Sequence, residues 1–291
     1  MFAYISILST NNYLPGLLTM FNSLKNTNTK IPFYCMTTEN IPKETINILN
    51  KCNINVIPTK NIKNPVHNDP TDRKYYNYNK LNMFNLTQFK KIVYIDADMV
   101  IFKNIDDLFT KPHMSSTNAG GQIQMFRLTW TKLNSGLLVL DPNKELFEDM
   151  LSKIGKLDVK DIGDQAFIHA YYPEWPRTRE LHLSHVYNVF SCHLHLYEEE
   201  HGYILPEDII PKSMKVNDDK YIRIIHYIGN DKPWMNMEKI NYPPSYNLSH
   251  EQYANKLWLR AFKDFYKNIG KDLTDTEKRY IVTEGLKERK N

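Results

Sequence analysis

Short apolar runs alternate with stretches of helical periodicity through the first third of the chain. Residues 2–8 form an apolar run, and residues 13–24 repeat apolar side chains at three- and four-residue spacing, which predicts a strand followed by a helix. Residues 31–36 predict a second strand. Pro42 stands in the first turn of a helix reaching about Leu49, and residues 54–57 predict a third strand. A β-α-β-α-β order implies a parallel sheet covered by helices on both faces. Residues 61–78 break the rhythm. They are polar, hold Pro65 and Pro70, and run through Arg73, Lys74, Tyr75 and Tyr76. They read as a long loop of the kind that in compact domains often carries function.

Residues 80–89 predict a helix leading to an apolar strand at 92–95. Beyond it the alternation loosens. Strands are expected at 122–128, 136–140 and 221–225, and helices at 143–154, 164–171 and 252–267, the last rich in Trp258, Phe262 and Phe265. No Gly-, Ser- or Pro-rich linker divides the chain, and no internal repeat is visible. The pattern predicts one α/β domain over residues 1–270 with a mostly parallel central sheet. A mobile, charged tail is expected over 271–291.

Composition narrows the class. Of 291 residues, 42% are hydrophobic and 24% charged, a globular balance. Lys plus Arg number 37 against 33 Asp plus Glu, a net charge of only +4 with both signs mixed throughout. That gives no basic stripe for nucleic acid. No apolar run approaches the roughly 20 residues of a membrane span, and no basic, cleavable leader precedes residues 2–8. Cys35, Cys52 and Cys192 are odd in number and far apart, so neither a disulfide framework nor a CxxC site is expected. Asn85 with Thr87 and Asn247 with Ser249 fit the glycosylation pattern, but without a leader they read as chance matches. The expected compartment is the reducing cytoplasm.

The sharpest chemical feature follows the strand at 92–95. Asp96, Ala97 and Asp98 place two carboxylates at i and i+2, on one side of an extended segment. Ligands of open parallel sheets bind beyond the carboxyl ends of the strands, and two hard oxygen ligands there suit Mg²⁺ or Mn²⁺. Late in the chain an apolar strand delivers His226, followed by Gly229, Lys232, Pro233 and Trp234. Histidine can complete a divalent site, glycine permits close backbone approach, and lysine offers a point charge for phosphate. Asn134, Ser135 and Gly136 enter another strand, and Gly163, Asp164 and Gln165 open a helix. Each of those two sets, read alone, is an ordinary strand entry or helix cap.

In order along the chain, Ala3 to Ser6, Tyr13 to Gly16, Asn79 to Leu81, Tyr94 to Asp98, Asn104 to Phe109, Asn134 to Gly136, Gly163 to Gln165, Tyr187 with Asn188, and His226 to Trp234 resemble glycosyltransferase family 8, the glycogenin-like sugar-nucleotide transferases. The resemblance implies a GT-A, Rossmann-like fold and a retaining transfer of glucose or galactose from a UDP-hexose to a glycan or protein hydroxyl. It implies Mn²⁺, or Mg²⁺, on Asp96, Asp98 and His226, and diphosphate contacts from Gly229 and Lys232. Ile7, Ser9, Thr10 and Tyr13 fall in the uridine-holding stretch, with Tyr13 where the base is stacked. Lys80 and Asn134 match donor-sugar contacts, with Ala97, Ser135 and Gly136 in the same motifs. Asp164 and Gln165 match the catalytic pair beside the anomeric carbon, with Lys80 near them. Arg73 lies close to a family arginine but out of register.

The sequence also departs from that family. Thr10 and Asn11 stand where Asn-Asp follows a threonine, and His195 stands where glycogenin presents its acceptor tyrosine, with Tyr197 nearby. An external acceptor is therefore expected ahead of self-glycosylation on Tyr197, and a homodimer is an assembly such relatives often form. Two other classes compete. One is an inactive UDP-sugar binder. The other is a phosphatase of the haloacid-dehalogenase type, whose motif also sets two aspartates after a strand but near the N-terminus.

Overall fold

The computed structural model describes residues 1–65, 75–120, 123–124, 129–159, 163–206, 217–235, 237 and 249–287. The strands β1 (Phe2–Leu8), β2 (Phe33–Thr38), β3 (Asn55–Thr59) and β4 (Lys91–Ile95) are parallel and lie in the order β3-β2-β1-β4, with β6 (Leu137–Leu140) antiparallel on β4. A second, three-stranded sheet sets β8 (Ile224–His226) between β5 (Met99–Ile101) and β7 (Val189–Phe190). The order of the main sheet reverses between β1 and β4. In an open α/β sheet such a reversal leaves a crevice at the carboxyl ends of the two strands.

Alternation along the strands sorts the core into two layers. Tyr4 and Leu8 of β1 and Val93 and Ile95 of β4 face one layer, with α1 (Leu14–Asn26). Ala3, Ile5, Ile92 and Tyr94 face the other, with α3 (Lys144–Lys153) and α4 (Asp164–Tyr171). Burial on both faces explains why these strands read as continuous apolar runs. The helices α2 (Lys43–Lys51), α5 (Leu194–His201) and α6 (His250–Asn268) complete the order up to residue 268.

Two expectations need correction. The helix expected at 80–89 is instead a 3-10 run over Asn77–Asn85. Its asparagines bond elsewhere: Asn79 Oδ1 accepts from Ile62 N at 2.5 Å, and Asn82 Nδ2 donates to the Lys60 and Asn79 carbonyls at 2.9 Å each. Such side-chain bonds compete with an α-helical ladder. The charged tail is not a tail over its described part. Asp275–Leu286 form helix α7, opened by a capping box between Thr274 and Glu277, with Ile281 fully buried. Its thin apolar face, set among charges, hides the helix from a periodicity count. The strand expected at 122–128 falls mainly outside the described residues, and Ile123 and Gln124 are in no strand.

One long-range polar contact ties the start of the sheet to the loop after β5. The Tyr4 hydroxyl and Thr29 Oγ1 donate to Asp106 Oδ1 at 2.7 and 2.6 Å, and Tyr4 and Thr29 are both buried. Asp106→Ala strands both hydroxyls and should cost about 1–3 kcal/mol in urea unfolding. Burial opposes the Asp106 charge, but bonds from Thr29, Tyr4 and Asn104 hold its carboxyl below the ordinary value. Its contribution should therefore be complete above pH ~4 and fade as acid passes below that. An alanine variant of unchanged stability at neutral pH would contradict this reading.

Candidate active site

The end of β4 turns outward at the β1/β4 reversal and carries Asp96 and Asp98 with it. Backbone bonds fix both. Asp96 N donates to Gly136 O at the start of β6 (2.8 Å), and Tyr227 N, just past β8, donates to Asp98 O (2.9 Å). Each carboxylate has its own ammonium partner. Lys232 Nζ lies 2.5 Å from Asp98 Oδ2, and Lys80 Nζ lies 3.0 Å from Asp96 Oδ1. Lys80 also reaches Asp164 Oδ2 at the start of α4, at 3.0 Å. Tyr94 donates to Asp96 Oδ1 at 2.6 Å.

The cluster is buried enough for these pairings to matter: Lys232 is 3% exposed, Asp98 7% and Lys80 8%. Burial penalises the Asp98 charge, yet Lys232 and His226 outweigh it and hold the carboxyl well below the usual carboxylate range. Burial also works against the Lys80 ammonium, while Asp164 and Asp96 more than restore it, so its pKa stands above that of an ordinary lysine. The Tyr94 hydroxyl is pushed well up, by burial and then by Asp96. Among the described residues the site thus holds three carboxylates against two ammonium groups.

A chain of amides fixes the face that His226 presents. The backbone N–H of Gly136 can only donate, and it donates to Asn134 Oδ1 at 2.9 Å. Asn188 shares that acceptor at 3.0 Å, so the atom it offers must be Nδ2, which also donates to Thr117 Oγ1 at 3.1 Å. Asn188 Oδ1 is then left facing His226 Nδ1 at 2.9 Å, and Nδ1 must carry a proton. In the neutral ring Nε2 is therefore bare, 3.2 Å from Asp98 Oδ1. Two lone pairs meet there. A proton on Nε2, or a metal ion between the two atoms, satisfies both. Metal-bound histidines are commonly oriented by such a bond from the far nitrogen.

Asp96, Asp98 and His226 each offer a ligand atom, all within 4.8 Å of one another, and they form a group that could hold a metal ion. Two carboxylates and one imidazole fit a first-row divalent ion such as Mn²⁺ better than Mg²⁺, which prefers oxygen throughout. Ser135 and Asp164 join this cluster through Lys80, and Gln165 joins it through Ser135. Ser135 Oγ donates to Asp164 Oδ2 at 2.9 Å, and Ser135 N donates to Gln165 Oε1 at 3.0 Å. Ala97 is buried between the two aspartates. Gly229, at φ +90°, turns the chain after β8 in a conformation suited to glycine and leads it to Lys232. On the β1 side, Ile7, Ser9 and Thr10 are half-buried, and the Tyr13 ring packs edge-on against Trp234, 5.3 Å between centroids, with Lys232 Nζ 5.9 Å from its own centroid. Arg73 lies outside the described residues.

No sequence signal assigns a role to Asn188, Thr117 or Tyr94 in this arrangement. Asn188 stands in the Tyr187-Asn188 motif, but its partner lies 38 residues away and no spacing rule reaches that far. Tyr197 is fully buried and stacked on Tyr203 at 5.9 Å, so its hydroxyl is not presented for reaction. The odd cysteines are free thiols, as expected. No helix among the described residues is long and apolar enough to cross a membrane.

Comparison with known proteins places the chain in a family and a fold. The model of Glycosyl transferase family 8 matches residues 4–238. The chain is 29% identical over 237 residues to inositol phosphorylceramide glucuronosyltransferase 1 of Arabidopsis thaliana, covering 80% of this chain and 42% of that protein. It is 28% identical over 287 residues to glycogenin of Neurospora crassa, covering 97% and 38%. The chain thus spans less than half the length of these relatives. Among solved structures it resembles the galactosyltransferase LgtC in complex with donor and acceptor sugar analogues, with a TM-score of 0.59, 13% identity, and 96% and 99% of the two chains covered. At that identity the likeness establishes the fold, which is GT-A-like.

Gly136 tests whether the imidazole is held rigidly. A Cβ there would lie 2.6 Å from His226 Cε1 and 2.9 Å from Asn134 Oδ1, and both groups are fixed by the amide chain. Gly136→Ala should destabilise the protein by about 1–3 kcal/mol, as overpacking does. Unfolding indistinguishable from that of the parent would show that the ring moves freely.

Proposed function

The chain belongs to glycosyl transferase family 8, and on that premise we propose that it is a metal-dependent, retaining transferase that moves a hexose from a UDP-sugar to the hydroxyl of an external glycan or protein. The observation that carries this reading is the convergence of Asp96, Asp98 and His226 beside Lys232 at the β1/β4 reversal. Asp96, Asp98 and His226 would hold Mn²⁺, which when bound supplies Lewis-acid neutralisation of the donor diphosphate. Lys232 provides a second positive charge where the leaving oxygen gains negative charge. The loop from Ser9 to Tyr13 receives the uridine.

On the other side of the scissile bond the sugar becomes oxocarbenium-like. Asp164 offers a carboxylate there, steered by Lys80 and Ser135, and Gln165 is anchored through its Oε1 to the Ser135 amide. Holding these groups before substrate arrives removes the cost of reorganising them in the transition state. The charge count over the described residues favours a neutral hexose over a uronate. Three carboxylates face two ammonium groups, and Lys80 is already shared by two of the carboxylates. A divalent ion and a diphosphate cancel, so an extra sugar carboxylate would add to a net negative site. Glucose and galactose both meet this condition.

Burial of Tyr197 supports an external acceptor over self-glycosylation at that residue. Family membership removes the phosphatase alternative. The complete set of paired charges argues against an inactive sugar-nucleotide binder.

Two outcomes are expected. Chelation of divalent metal should weaken UDP binding by well over tenfold in calorimetry, because three protein ligands leave the metal dependent on diphosphate oxygens. Equal affinity with and without metal would refute the site. Asp164→Asn should reduce UDP-glucose or UDP-galactose turnover by about two to four orders of magnitude, with UDP affinity within a few-fold of the parent. Lys232→Ala should instead weaken UDP binding itself. The reverse pattern would mean that the two residues have exchanged roles.

A further inference from the structure

Helix α7 lies beyond the stretch that matches the family, which ends at residue 238. It nevertheless packs against both segments that the donor reading assigns to the nucleotide. Asn11 sits in the loop after β1, between Thr10 and Tyr13. Its side chain closes a three-membered ring of hydrogen bonds with α2 and α7. Asn11 Nδ2 donates to the Tyr280 hydroxyl at 2.9 Å, and Thr45 Oγ1 donates to Asn11 Oδ1 at 2.6 Å. The Tyr280 hydroxyl then donates to Thr45 Oγ1 at 3.0 Å. Each hydroxyl gives one bond and accepts one, and flipping the amide only reverses the direction of the ring. Thr45 is fully buried.

A second contact lies one turn further along α7. A Cβ at Gly285 would stand 2.7 Å from Pro15 Cγ and 3.2 Å from Trp234 Cδ1. The backbone of α7 therefore abuts both the start of α1, just after Tyr13, and the indole two residues after Lys232. The helix is itself anchored. Lys51 of α2 pairs with Glu277 at 2.6 Å, the capping box fixes its first turn, and Ile281 is fully buried.

We propose that α7 positions the nucleotide half of the donor site, with Tyr280 and Gly285 as its positioning residues. This rests on the reading of residues 9–13 and Lys232 as donor contacts. Tyr280 sets the uridine loop through Asn11, and Gly285 lets α7 seat behind Pro15 and Trp234. Neither touches substrate. Asp96, Asp98 and His226 are fixed by β4, β6 and β8 and do not depend on α7. A fault in the Tyr280 ring should therefore act on recognition of the nucleoside and spare recognition of the diphosphate.

Calorimetry with UDP and, separately, with inorganic pyrophosphate, both at saturating Mn²⁺, tests this on the full chain. Tyr280→Phe removes one oxygen and should weaken UDP by about three- to tenfold, the loss of one hydrogen bond's worth of positioning. Pyrophosphate should stay within about twofold and thermal unfolding should remain cooperative. Thr45→Val breaks the same ring from α2 and should reproduce the UDP-selective loss. Gly285→Ala presses on Pro15 and Trp234 and should weaken both ligands. Parent-like UDP affinity in Tyr280→Phe and Thr45→Val would overturn the proposal, as would an equal loss of UDP and pyrophosphate, which marks general loosening. Failure of the parent protein itself to bind UDP would instead overturn the donor-site reading, and this inference with it.

Discussion

Two carboxylates placed two residues apart at the end of a buried strand repel each other, and the rest of the site answers that repulsion. Like charges about 4 Å apart at an effective dielectric near 20 cost about 4 kcal/mol. With ligand atoms of Asp96, Asp98 and His226 all within 4.8 Å, that cost cannot stand uncompensated in a buried place. Lys232 meets one carboxylate and Lys80 the other, and Asp164 draws Lys80 toward the sugar side of the site. Removing any one partner leaves a buried charge unpaired, a larger penalty than losing the pair outright.

The fold supplies these partners from far apart in sequence. Reversal of strand order between β1 and β4 opens the crevice, and the small sheet of β5, β8 and β7 carries His226 and then Lys232 to its rim. Register matters here: Met99 pairs with His226, so the residue after Asp98 is locked beside the imidazole. On the other side, β6 runs antiparallel to β4 and delivers Asn134 to Gly136, whose amide chain selects the histidine nitrogen that faces Asp98. Ligand orientation is thus set at the ends of β4, β6 and β8, while the neutralising ammonium groups come from the 3-10 run at 77–85 and the segment after β8.

Much of this arrangement is legible in the amino-acid sequence. The alternation of strand and helix through residue 60, the strand ending at Asp96, and the His226-to-Lys232 segment all carry local signals, in apolar runs, β-branched residues and chemical type. What stays hidden depends on distance or on small polar residues. The amide chain from Gly136 through Asn134 and Asn188 has no periodicity, and its members look like ordinary loop residues. The asparagines at 77–85 resemble a helix in spacing, but bond to the preceding loop instead. In α7 the buried side includes Glu277 and Glu284, so hydropathy alone reads it as solvated tail. Tyr197 has the charged neighbours of an exposed acceptor, whereas its own ring faces the core.

The central claim is that Asp96, Asp98 and His226 act together as the metal-holding end of a sugar-nucleotide site. Crystals grown with UDP and Mn²⁺, with data collected on both sides of the manganese absorption edge, test it most directly. One anomalous peak should lie within bonding distance of a carboxylate oxygen of each aspartate and of His226 Nε2, with diphosphate oxygens completing its shell. A diphosphate bound there with no metal, or a manganese ion held by other residues, would contradict the claim.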